Sequence, residues 1–101
     1  MPDEPHLTQE LIEALSYACE CQSMRRITEG WRRIMALPRR WTIDHIEQIA
    51  VDSLNLEDDW EFRRLLEVAQ ALDTTLLQRL VERGRLSGNP DVREAAHDFS
   101  G

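Results

Sequence analysis

The chain has no lysine; all 12 of its basic residues are arginine. Bidentate pairing with carboxylates or phosphates favours arginine, and a GC-rich coding bias gives the same result. It has only two cysteines, Cys19 and Cys21. Two residues apart on a helix, they point about 200° away from each other, so they form no disulfide framework. They also lack the C-x-x-C spacing and the second pair of a zinc site. No apolar run approaches the roughly 20 residues that a membrane span needs, and the acidic opening MPDEPH lacks the basic and apolar regions of a signal peptide. A cytoplasmic protein without a membrane partner is expected. Absent too are a Gly-rich phosphate loop and a nucleophile elbow, and His6, His45 and His97 are far apart. The expectation is a noncatalytic protein that needs no metal or cofactor. No segment alternates apolar and polar residues between turn signals, so no β-sheet is expected.

What is present is a sequence of amphipathic stripes. At 101 residues, with 42% hydrophobic and 31% charged residues, the chain has the make-up of one globular domain that buries roughly 60–65% of its unfolded surface. Residues 1–7 read as a flexible tail and 8–99 as a single all-helical domain. Thr8 is placed to cap a helix over 8–21 with Leu11, Ile12, Leu15, Ala18 and Cys19 inward. The next helix carries Met24, Ile27, Trp31, Ile34 and Met35 and ends before Pro38, weakened but not stopped by Gly30. Thr42 caps a third, over 42–54, with Ile43, Ile46, Ile49, Ala50 and Leu54. Asp58, with Glu61 three residues on, has the spacing of a capping box ahead of Phe62, Leu65, Leu66, Ala69 and Leu72. Asp73 opens a fifth helix with Leu76, Leu77, Leu80 and Val81, closed by Gly84 or Gly88. Asn89-Pro90 starts the last, with Val92, Ala95, Ala96 and Phe99.

Six helices with short connectors group into three αα-hairpins: 8–37, 42–72 and 74–99. The second helix of each begins with an apolar residue and an arginine: Met24-Arg25, Phe62-Arg63 and Val92-Arg93. In the last two the match extends to Asp59/Asn89 and Glu61/Asp91 and to small or aliphatic residues at 65/95 and 66/96. NPDVREAAHDF resembles the second helix of a HEAT-like repeat, mainly over residues 43–99. That resemblance implies that Arg63 and Arg93 are structural and that function lies on a groove or edge of the stack. An irregular helical bundle accounts for the same pattern.

Charge is segregated along the chain. Residues 1–22 hold five acids and no base, 23–41 six arginines and one glutamate, 42–62 seven acids and no base, and 63–101 six of each, giving −5, +5, −7 and 0 and a net −7. The basic segment is built of pairs seven residues apart: Arg25-Arg26, Arg32-Arg33 and Arg39-Arg40. The pairs form a candidate docking strip for an acidic protein segment or a phosphate backbone, or a face neutralised by the neighbouring acids Glu10, Glu13, Glu20, Asp44, Glu47 and Asp52. Trp41 and Trp60, near helix starts, are candidate anchors or packing staples, whereas Trp31 lies on a core stripe. The expected function is a small protein-protein interaction module, a monomer or weak homodimer. A nucleic-acid-associated regulator using residues 25–40 is the alternative, disfavoured by the net charge.

Overall fold

The structure, a computed structural model, describes residues 4–100, which form six α-helices with no strand among the described residues. They are α1 (Glu4–Leu15), extended by a π-helical turn (Ser16–Glu20), α2 (Met24–Ala36), α3 (Arg39–Ser53), α4 (Asp59–Leu72), α5 (Thr74–Arg85) and α6 (Pro90–Phe99). No described helix is long and apolar enough to cross a membrane. Of the expected N-terminal tail, residues 1–3 lie outside the described residues and 4–7 belong to α1. The helices group three and three, into a unit of α1–α3 and a unit of α4–α6 that divide after Leu54. In the first, α2 packs along α1 and its π turn, and α3, expected to pair with α4, packs on α1; in the second, α4, α5 and α6 all pack on one another.

In the α4–α6 unit, local chemistry sets the boundaries. The Asp58 carboxylate accepts from the backbone N–H groups of Trp60 and Glu61, Asp73 from Leu76, and Asn89 from Asp91. Each supplies an acceptor to a donor that the first helical turn leaves unpaired. The capping box does not close as spaced: the Asp58 N–H goes to the Asn55 carbonyl, and Glu61 accepts from the Asn55 N–H instead. Leu65, Leu66, Ala69, Leu76 and Leu80 are buried together with Phe62, Val92, Ala95 and Ala96, whereas Leu77 is only half-buried.

Gly84 does not cap α5. It lies inside the helix, buried, without a positive φ. A Cβ built there would fall 2.6 Å from the Phe62 ring and 2.9 Å from the Ala96 Cβ, so the missing side chain is the space that the Phe62 ring fills. Arg63 pairs with Asp98 at 3.0 Å, and Arg93 donates to the Ser87 carbonyl at 2.7 Å, giving both arginines structural partners within this unit.

In the α1–α3 unit the starts differ from those read in the sequence. α1 begins four residues before Thr8. α3 begins at Arg39, with Pro38 as N-cap, and Thr42 is buried inside its first turn, donating its hydroxyl to the Pro38 carbonyl at 2.9 Å. Leu37 is extended (φ −74°, ψ 157°), as a residue before proline is pressed to be, and α2 stops there.

The face that α2 buries also differs from the expected one. Ile27, Gly30 and Ile34 are buried, Trp31 is half-buried, and Met24 and Met35 stand 69% and 41% exposed. Gly30 is the cause. A Cβ there would lie 2.6 Å from the Ala18 nitrogen, 2.7 Å from the Ala14 oxygen and 2.9 Å from the Tyr17 Cβ. α2 therefore meets the end of α1 backbone to backbone, and its inward face centres on the glycine.

Candidate functional site

The six arginines of residues 25–40 meet three different fates. Arg33 is tied into the fold: its Nε donates to Glu10 at 2.6 Å, Glu13 lies 3.9 Å away, and its guanidinium covers the Tyr17 ring at 5.4 Å. These contacts, the Glu10 hydrogen bond foremost, raise its already high pKa. Arg32 is held within its own helix, with Nε 2.9 Å from Glu29 and Nη2 on the other carboxylate oxygen. That hydrogen-bonded pair draws the Glu29 carboxyl below its ordinary pKa and raises that of Arg32. Arg40 stands 3.6 Å from Asp44, and Arg39 also interacts within the chain. Arg25 and Arg26 are exposed and, among the described residues, have no acidic partner.

Arg25 and Arg26 occupy the first turn of α2, and Arg39 and Arg40 that of α3. Neither first turn contains an acid, and neither N-cap side chain accepts a hydrogen bond. The positive end of a helix dipole normally gathers carboxylates, so the placement concentrates uncompensated positive potential at the start of α2.

Tyr17, Arg25, Arg26, Thr28, Glu29 and Arg32 line a concavity of about 510 Å³. A second of about 620 Å³ shares Tyr17, Glu29 and Arg32 and runs on to Glu10, Arg33 and Leu37. Together they form a trough between α2 and the end of α1. Guanidinium, phenol and threonine hydroxyl groups all donate hydrogen bonds, so the part of the trough around Arg25 and Arg26 suits an anionic group. Tyr17 and Thr28 are functional candidates that the charge pattern alone did not pick out. The available signal was that Glu10, Glu13 and Tyr17 share a helical face opposite an arginine and a glycine.

Neither tryptophan belongs to this trough. Trp41 is buried, stacked on His45 with ring centroids 4.7 Å apart and planes 20° apart, and its carbonyl lies 2.7 Å from His45 Nδ1. Among the described residues its indole N–H finds no acceptor. Trp60, in the other unit, is half-buried beneath the Arg64 guanidinium at 5.0 Å. Cys19 is buried and Cys21 half-buried, and neither is in a disulfide. Compared with models of protein families, with curated proteins and with solved structures, the chain finds no match.

Proposed function

We propose that this chain is a noncatalytic protein-interaction module that takes an acidic protein segment on α2, with Arg25 and Arg26 as its principal contacts and Arg32 beside them. The observation that carries the reading is that, among the described residues, the pair has no carboxylate partner, whereas Arg32, Arg33 and Arg40 of the same segment each face an acid. Guanidinium groups free at a helix start, next to hydroxyl donors, offer two-pronged hydrogen bonds to carboxylates. With the net charge at −7, a short acidic segment is favoured over a long polyanion, which meets repulsion beyond the strip. A HEAT-like relationship of α4 to α6 is a weaker element of the proposal. The structural roles of Arg63 and Arg93 support it, but the caps sit at Asp58 and Asn89, four and three residues before the matched Phe62 and Val92, so the two helices differ by one residue in register.

The test compares a 20-residue poly-glutamate peptide with duplex DNA at one ionic strength, about 0.15 M, using wild type and Arg25→Glu/Arg26→Glu. Peptide binding that falls at least tenfold on reversal is expected, with DNA bound no more tightly than the roughly 10⁻⁴–10⁻⁶ M of nonspecific contact. Submicromolar DNA affinity abolished by the reversal would instead make the protein a nucleic-acid-associated regulator.

A further inference from the structure

The turning of α2 about Gly30 leaves an apolar stripe on the outside of the helix. At about 100° per residue, Met24, Thr28, Trp31 and Met35 fall on one line, about 90° round from the buried edge of Ile27, Gly30 and Ile34. Arg25 and Arg32 lie along the far side of that line. Met24 and Met35 are two of the chain's exposed large hydrophobic residues, and Trp31 between them is half-buried. From Met24 to Met35 the stripe runs about 16 Å, or three turns.

We infer that this surface receives an amphipathic acidic helix of a partner protein, whose apolar face lies on Met24, Trp31 and Met35 and whose flanking carboxylates reach Arg25 and Arg32. The inference rests on the acidic-segment reading above and specifies its conformation and its second source of affinity. Charge complementarity selects the occupant: a basic edge beside an apolar stripe calls for acids beside apolar residues at i, i+3, i+4 and i+7. Unbranched methionine side chains adapt to whatever apolar groups a partner helix presents, and a tryptophan flanked by arginine is the composition found at binding hot spots. Glu29, whose carboxylate occupies the Nε–Nη2 edge of Arg32, gives up that edge to the incoming carboxylate.

The experiment uses two synthetic 18-residue peptides of identical Leu, Glu and Ala content. One has leucines at helical spacing with glutamates alongside, and the other is shuffled to remove the periodicity. Both are titrated into the full chain as wild type, Met24→Ser/Met35→Ser and Arg25→Glu/Arg32→Glu, the four substituted positions all being exposed. The periodic peptide is expected to bind wild type about tenfold more tightly than the shuffled one. The serine variant should lose that advantage while holding the shuffled peptide as well as wild type does, and the arginine reversal should weaken both. Equal binding of the two peptides, unaffected by the serine changes, would overturn the amphipathic-helix inference while leaving the acidic-segment reading in place. Failure of both peptides to bind would overturn both. Concentration-dependent self-association of wild type that the serine variant abolishes would assign the stripe to a second copy of the chain and overturn the inference as well.

Discussion

Replacing Gly30 by alanine tests how α2 is seated. On propensity alone, alanine in a helix interior is better than glycine by up to about 1 kcal/mol. The surroundings of Gly30 oppose it. The added Cβ would meet two backbone atoms, at 2.6 and 2.7 Å, and the Tyr17 Cβ at 2.9 Å, where ordinary contact begins at 3.4 Å. None of these can swing aside by changing rotamer, so α2 has to withdraw by up to about 0.8 Å, the difference between 3.4 and 2.6 Å. Overpacking of this kind costs about 1–3 kcal/mol, and withdrawal also loosens Ile27 and Ile34, which sit one turn on either side. The expected net effect is a loss of about 1–3 kcal/mol in urea denaturation followed by far-UV circular dichroism. Gly88 has nothing within 4 Å and no positive φ, so Gly88→Ala is the control, with no loss expected. If Gly30→Ala were as stable as wild type, or gained the propensity difference, the backbone-to-backbone seating of α2 would be refuted.

The Arg33–Glu10 pair should show a coupling of about 1 kcal/mol in a double-mutant cycle, at the upper end for pairs at a surface, and Arg25→Ala should leave stability unchanged. Leu66→Ala should cost about 2–4 kcal/mol, because Leu66 is wholly buried; a loss below half a kcal/mol would show that the α4 face is misassigned. For Glu29, the hydrogen bond from Arg32 depresses the carboxyl pKa, so the pair persists above the unfolded carboxyl's pKa and is lost as pH falls through the lower, folded one. Carboxyl NMR titration should place Glu29 below the ordinary glutamate range in wild type and return it upward in Arg32→Gln.

The α4–α6 unit was legible because its signals are local. Asp58, Asp73 and Asn89 each cap within three residues of where they stand, and the apolar positions of α4 follow a single stripe. The α1–α3 unit was less so, because its decisive feature is a space. Gly30 reads in sequence as a weak point of a helix, and only the approach of Ala14 and Ala18 shows that it sets which side of α2 faces inward. For the same reason the apolar stripe of α2, read as one core face, divides into a buried edge and an exposed one. Thr42 illustrates a different limit. A threonine that could cap a helix can equally return its hydroxyl to the carbonyl four residues back, and sequence alone does not separate the two. The arginine pairs were visible as a pattern, but their division into tied and free members depends on which acids fold alongside.

The most direct measurement of the central claim is an NMR titration of the isotopically labelled full chain with a poly-glutamate peptide, following backbone amides, arginine side-chain Nε–H groups and methionine methyls. The expected result is that the largest shifts cluster at Arg25, Arg26, Thr28 and Arg32, with Arg33 and the α5–α6 residues unmoved. Shifts centred on Arg63, Arg79 or Arg93, or spread evenly over every arginine of the chain, would contradict a specific acidic-segment site on α2.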